Sequence, residues 1–509
     1  MPNRKRRWEE LAWQLDTTVG LVALFTVGLL VRLLLARGTG FHGDLNLFQQ
    51  WSVRLAQSGP RHFYAGAGFA DYPPGYLYVL WILGKLSSTP SYLLLKVPAI
   101  LADLGLAWVA GVFAERLAPA ELRERLPVRT LVAAGAVLFN PAIIALSAVW
   151  GQVDSIPTLF VLWALLYLYT GEQTLRREVA ALLLFAIAIA MKPQAGFALP
   201  VILYALYRRY LHRKSGAALA DGLLAIGVSG IVSLMFWATS GLAFGLGPLD
   251  LIKFYKHSAS VYPVTSANAF NLWGAIGFWK TDTTGANGIA DFGPVFRIAG
   301  IPALYIGQLL FLAAVVLILI RVHRAVERGA YEARVYAVAS AACALLAFVL
   351  LTRMHERYMF LGLAGLAPLT FSRRLRWLYA ALSLLFVINL WWPYAYFNLQ
   401  WGVEAFHYQP IFNWLFGGLG VESWQRRVLS LGITAVGLSI AWFGLQQSEL
   451  MPAGVRRTPT APPPPPPPAP PAPAPAAESS SEPFRVMSND RTMSRLLRRM
   501  LLRALYGRL

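Results

Sequence analysis

Pro73-Pro74-Gly75-Tyr76-Leu77-Tyr78-Val79-Leu80-Trp81-Ile82-Leu83-Gly84-Lys85-Leu86 is the stretch on which the topology turns. It is apolar, yet short of the roughly 20 residues that a membrane-crossing helix needs. Twelve other apolar stretches are candidate spans, several of them short, so the count is good to about one or two: 18–36, 91–114, 130–149, 155–170, 178–191, 194–207, 217–239, 297–320, 335–352, 357–371, 377–395 and 428–446. Suppose that the N-terminus is cytoplasmic and that 73–86 does not cross. The cytoplasmic loops then hold Arg116/Arg123/Arg125/Arg129, Arg176/Arg177, Arg208/Arg209/Arg213/Lys214, Arg321/Arg324/Arg328/Arg334 and Arg373/Arg374/Arg376, as arginine-rich loops should. If 73–86 crossed, every one of these clusters would face outward. Only Arg426 and Arg427 run against the scheme.

The reading is therefore an all-α polytopic membrane protein of about 12 transmembrane helices. It has a long first external loop, 37–72, and an interfacial or re-entrant helix over 73–86. Both termini are expected in the cytoplasm of a cell-membrane protein. The basic start, Arg4-Lys5-Arg6-Arg7, precedes a span-length apolar stretch without a clear cleavage site, which reads as a retained signal anchor.

Composition agrees. Hydrophobic residues make up 57% of 509 and charged residues 14%, well under the ~25% of soluble domains. The net charge of +20 does not indicate nucleic acid, because the cations sit in short loops between spans as orientation signals. One cysteine, Cys343, lies mid-span; it excludes a disulfide framework and a cysteine zinc site.

Four regions follow: a basic N-terminus (1–17), a membrane domain (18–446), a proline-rich linker (447–487) and a basic amphipathic helix (488–509). Residues 461–476 are nearly all Pro and Ala, a stiff polyproline II spacer able to meet a cytoplasmic partner. Beyond it, Leu497, Leu501, Ala504 and Leu505 recur at helical spacing beside Arg491, Arg495, Arg498, Arg499 and Arg503. That pattern suits a helix on an anionic leaflet, or else a partly disordered basic tail.

The polar motifs fall in the other set of loops. Asp44, in Phe41-His42-Gly43-Asp44-Leu45-Asn46, is an acid just outside the first span, able to take a proton from an attacking hydroxyl or simply to cap a helix. Asp71-Tyr72-Pro73-Pro74 sets a sharp entry into 73–86, with Asp71 near that helix's positive end. Trp150-Gly151-Gln152-Val153-Asp154 presents an amide and an acid, and Lys192-Pro193-Gln194 a cation. Arg353-Met354-His355-Glu356-Arg357-Tyr358 is the densest cluster; Arg353, His355 and Arg357 suit a phosphate oxyanion, while Glu356 also allows a self-neutralising turn. Asn268-Ala269-Phe270-Asn271-Leu272-Trp273 mixes amides and aromatics as a glycan contact or an interfacial helix does, with Lys253 and Lys256 upstream. Ionisable groups in such short turns are costly unless paired or used. Asp103, inside the second span, requires a neighbouring donor.

Taken in order, Gly43-Asp44, Asp71-Tyr72-Pro73-Pro74, Trp150-Gly151-Gln152-Val153-Asp154 and His355-Glu356-Arg357 resemble the GT-C glycosyltransferases. They are similar to bacterial proteins related to the second GPI mannosyltransferase and to dolichyl-phosphate-glucose-dependent glucosyltransferases. The likeness covers about residues 15–446. It implies inverting transfer of a hexose, mannose or glucose, from a polyprenyl-phosphate donor to a lipid-linked or glycan acceptor, with no cofactor besides the donor lipid. Asp44 takes the part of general base. Asp71, Tyr72, Gln152, Asp154, Lys192, Gln194, Asn268, Asn271, Arg353, His355, Glu356 and Arg357 become candidate substrate contacts. The second, metal-binding acid of metal-dependent relatives is missing, since no Asp-x-Asp stands here, and no metal site is assigned. A flippase for a lipid-linked sugar, or a glycan polymerase or ligase, are the alternatives. Transporters favour midplane ionisable residues and internal repeats; here only Asp103 fits that pattern.

Overall fold

The computed structural model describes residues 2–66, 68–118, 128–283, 292–405, 407–420 and 422–449. The chain divides into two units, Met1–Gly454 and Val455–Leu509, and every described residue belongs to the first. The expected proline-rich linker from 450 onward, the terminal basic helix, and Arg123 and Arg125 lie outside the described residues.

Fifteen helices longer than eight residues carry the described fold: α1 (Pro2–Leu35), α2 (His42–Ser58), α3 (Pro74–Leu86), α4 (Tyr92–Arg116), α5 (Val128–Leu138), α6 (Pro141–Trp150), α7 (Ser155–Tyr169), α8 (Leu175–Met191), α9 (Leu199–Tyr210), α10 (Gly216–Thr239), α11 (Pro248–Ser258), α12 (Ala303–Glu327), α13 (Glu332–Leu350), α14 (Arg373–Gln400) and α15 (Trp424–Glu449). Seven of them (α1, α4, α10, α12, α13, α14 and α15) include stretches long and apolar enough to cross a membrane, and α5 with α6 forms an eighth, bent by 44°. The other four expected spans are helical but shorter: α7, α8, α9 and Phe360–Leu366 have 15, 17, 12 and 7 residues. The figure of about 12 is thus met as helices, not as full-length spans.

The bend has a local cause. Asn140 is extended, as the residue before a proline prefers, and its side chain accepts from the amides of Ala142 and Ile143, capping the new helix behind Pro141. α3 has 13 residues, a rise of about 20 Å against a ~30 Å hydrocarbon layer. It packs on α2 rather than standing alone. Segment 37–72, expected as an external loop, instead contains α2, whose Leu45, Phe48, Ser52 and Leu55 bury one helical face.

α13 is the centre of the bundle. Its apolar window is buried throughout, Cys343 included, and it packs on α12, α15 and Phe360–Leu366. α1 and α10, by contrast, bury only 11% of theirs, leaving apolar faces for lipid. Arginine-bearing helix ends meet one another: Arg208 and Arg213, at the end of α9, pair with Glu327 at the end of α12. Arg129 and Arg334 both lie over the ring of Phe371.

The donor that Asp103 requires is Arg32. Both side chains are fully buried, and the guanidinium Nε donates to Asp103 Oδ2 at 2.6 Å. Ser147 and Ser155 donate to the same carboxylate, while Arg32 also reaches the Leu138 carbonyl at 2.7 Å. The cluster ties α1, α4, α5, α6 and α7 together beneath the segment that carries Asp44. Breaking a buried pair by removing one partner costs about 3–5 kcal/mol. Arg32→Met or Asp103→Leu alone should therefore lower the thermal midpoint in detergent markedly, and the double substitution should recover most of it. Equal loss in all three variants would show that the pair is not the tie.

Candidate active site

Five chain segments meet around Gln152. Asp44 stands in the first turn of α2, where the helix dipole favours an acid. Its Oδ2 accepts from Trp150 Nε1 at 2.7 Å and from Gln152 Nε2 at 2.5 Å. The opposite end of the same amide, Gln152 Oε1, accepts from Tyr72 Oη at 3.0 Å and from Lys192 Nζ at 3.3 Å. Lys192 also pairs with Asp154 at 3.0 Å and lies over the Tyr72 ring. Burial lowers the Lys192 ammonium below the usual lysine range, and Asp154 opposes that shift.

Local sequence explains the approach. A side chain at Gly75 would place its Cβ 2.5 Å from the Ala190 carbonyl. The glycine after Pro73-Pro74 thus lets the start of α3 lie against the end of α8, which brings Tyr72 beside Lys192. Phe41 stacks on Trp150 with ring centres 4.3 Å apart, and its amide donates to the Trp150 carbonyl. The segments carrying Asp44 and Gln152 are therefore held by backbone, stacking and side-chain contacts together.

The fifth segment is 353–358. Met354–His355 pairs as a short parallel strand with Ser266–Ala267, and Arg353 sits at φ +63°. A cavity of about 330 Å³ opens between this segment, Asp71-Tyr72, Lys192-Pro193-Gln194 and Tyr262. Phe197, Leu304 and Leu351 line it as well, so the cavity has both polar and apolar walls.

The cations in this cavity differ. Arg353 lines it, but its guanidinium grips buried Asp282 through Nε and Nη2 at 2.8 and 3.0 Å and donates Nη1 to the Ala259 carbonyl. Each of its three nitrogens thereby makes one hydrogen bond within the protein, while the side chain still lines the cavity. Arg357 bonds Glu356 at 2.8 Å, and its Nε is buried with no hydrogen-bond partner. Burial works against its charge, but Glu356 and Asp44 overcome that and hold the guanidinium well above its ordinary range. Gln194 Oε1 is likewise buried and unpartnered. Burial, then the charges of Arg357 and Lys192, push His355 well below the usual histidine range, so it is neutral at pH 7. Burial raises Asp71 and Glu356 above the usual carboxyl range against the pull of Arg357.

Of the residues expected at the site, Asp71, Tyr72, Lys192, Gln194, Arg353, His355 and Arg357 line the cavity; Gln152 and Asp154 reach it through Lys192. Asp44 joins through Gln152. Asn268 and Asn271 do not: Asn268 holds Trp279 and Asn389, and Asn271 caps a short helix and bonds the Phe348 carbonyl. Through these contacts, and an isolated bridge from Asn268 to His355, they brace the 353–358 segment. Asp282, Tyr262 and Gln308 were not anticipated; no motif marks them. Among the described residues, no three His, Cys, Asp or Glu side chains are placed to share a metal ion.

The description of the GPI transamidase subunit PIG-U family matches residues 48–260. That range includes Asp71, Gln152, Asp154 and Lys192 but neither Asp44 nor Arg357. No curated protein matches the chain. Among solved structures, ArnT from Cupriavidus metallidurans bound to undecaprenyl phosphate is similar at 17% identity and a TM-score of 0.46, over 84% of this chain and 76% of that one. The archaeal oligosaccharyltransferase AglB from Archaeoglobus fulgidus, in complex with an inhibitory peptide and a dolichol-phosphate, is similar at 12% identity and a TM-score of 0.38. There 86% of this chain covers 56% of the other.

Gln152 offers a direct test of the network. Gln152→Glu sets a second carboxylate against Asp44, where one of the two must take a proton. The variant's thermal midpoint should lie below the wild type's at pH 8 and recover in part toward pH 5.5, where the wild type does not gain. A pH profile parallel to the wild type would contradict the Asp44–Gln152 contact.

Proposed function

We propose that the protein is a multi-pass membrane glycosyltransferase that moves a hexose from a polyprenyl-phosphate donor to a lipid-linked or glycan acceptor on the extracytoplasmic face. The observation that supports this best is the joining, through Gln152, of a partly open carboxylate, Asp44, to a cation-lined cavity that also has apolar lining residues. The acceptor hydroxyl attacks the anomeric carbon from the side opposite the phosphate, which inverts that centre. As the new C–O bond forms, the hydroxyl proton passes to Asp44. The bond from the anomeric carbon to the phosphate oxygen breaks, and polyprenyl phosphate leaves as a monoester with one more negative charge. Arg357 and Lys192 lie where that charge grows and need no rearrangement to meet it. Neutral His355 donates a hydrogen bond without adding charge. Phe197, Leu304 and Leu351 receive the first isoprene units.

The PIG-U match favours a second reading, a non-catalytic subunit that holds a lipid-linked glycan. Such a protein keeps the lipid cavity and has no use for Asp44. The two readings part in one assay. Purified protein is incubated with a panel of polyprenyl-phosphate hexoses and several acceptors, and sugar release is followed by mass. The transferase consumes one donor. Asp44→Asn should cut turnover by about 10³-fold or more, a general base being worth 10²–10⁴, with undecaprenyl phosphate binding within a few-fold of wild type. Arg357→Ala should weaken that binding itself. If no donor is consumed while undecaprenyl phosphate still binds, the subunit reading stands.

A further inference from the structure

Asp44 has two unlike oxygens. Oδ2 is held by Trp150 and Gln152, whereas Oδ1 carries no hydrogen bond among the described residues and is not sealed from solvent. A hydroxyl that gives its proton to Asp44 has Oδ1 to approach. Gln152 leads from the carboxylate to the cation-lined cavity. The neighbouring residue, Gly43, leads elsewhere, to Trp401, which does not line that cavity.

Trp401 ends α14 and folds back over the start of α2. A Cβ on Gly43 would lie 2.3 Å from its ring, so only glycine admits the indole there. Phe397 stacks on it at 5.7 Å and Phe41 meets it edge-on at 5.3 Å, yet 45% of Trp401 stays exposed. This differs from a membrane-interface anchor such as Trp377, Trp414 or Trp424, each 68% exposed or more. His42 lies beside it with ring centres 6.2 Å apart, its Nδ1 3.2 Å from Tyr92 Oη; its Nε2 carries no hydrogen bond among the described residues. Fully buried Asn398, one turn earlier on α14, accepts from the His42 amide and donates to the Gly40 carbonyl, both at 2.9 Å. The aromatic shelf and Asp44 are therefore locked as one rigid piece.

We propose that Trp401 and His42 form the subsite for a pyranose ring of the acceptor. The C–H face of the sugar packs on the indole, as apolar faces do on large amphipathic rings, while His42 Nε2 meets a ring hydroxyl and a second hydroxyl reaches Asp44 Oδ1. This rests on the transferase reading given above.

Saturation-transfer NMR of the full chain in lipid nanodiscs tests it, with methyl α- and β-hexopyranosides of mannose, glucose and galactose as probes. At least one should bind the wild type. Trp401→Ala should weaken it about tenfold or more, in the range for truncating a buried tryptophan contact. Trp401→Phe, which keeps a ring and serves if the alanine variant misfolds, should retain most of the signal, and His42→Ala should lose part of it. Undecaprenyl phosphate binding should be unchanged in all three. Equal glycoside binding in wild type and Trp401→Ala overturns the subsite, as does the absence of any glycoside signal from protein that binds undecaprenyl phosphate. Loss of undecaprenyl phosphate binding by the wild type would instead undo the transferase reading.

Discussion

One side-chain amide joins the two halves of the site. Gln152 gives its N–H to an acid and takes N–H and O–H donors on its carbonyl, so the polarity of each neighbour dictates which end of the amide faces it. A glutamate, a leucine or a reversed amide would remove one hydrogen bond from the half-buried Asp44 carboxylate or from the buried Tyr72 and Lys192, at a cost of about 1–3 kcal/mol for a buried group left unsatisfied. Segments more than a hundred residues apart thus settle in one arrangement, and the acid and the cations lie at fixed places before any substrate arrives. Such preorganisation is what electrostatic catalysis requires.

The rest of the bundle holds this arrangement in place. Arg32 and Asp103 fasten the helices beneath it. The glycines at 43 and 75 let backbone approach ring and backbone. The Arg353–Asp282 clasp fixes the wall that carries Arg357. In each of these contacts at least one partner lies outside the motifs that first marked the site, yet it helps to decide where a motif residue stands.

Much of this was legible in the sequence, and the limits are physical. Every stretch expected to span is helical, because an apolar run with no partner for its backbone leaves little choice. The shortfall in length arises where prolines and polar turns interrupt the runs, as at Asn140-Pro141 and Lys192-Pro193. α2 was taken as loop despite the spacing of Leu45, Phe48, Ser52 and Leu55, because its mean polarity conceals its one buried face. Gln152, Lys192 and Arg357 were legible as polar groups in short turns between apolar runs, and Asp44 as an acid just outside the first span. Their bonding partners were not. Asp282 for Arg353, Arg32 for Asp103 and Asn398 for Gly40 are pairings across 71 to 358 residues, and no local pattern encodes them. Arg353 holds an acid 71 residues away, a pairing that its own cluster does not announce.

A structure of the protein with undecaprenyl phosphate tests the central claim most directly. The account predicts the phosphate between Arg357 and Lys192, within hydrogen-bond reach of the otherwise unpartnered Arg357 Nε, and the first isoprene units against Phe197 and Leu304. A phosphate seated at the arginine-rich helix ends around Arg208 and Arg213, with the Arg357 cavity empty, would contradict it.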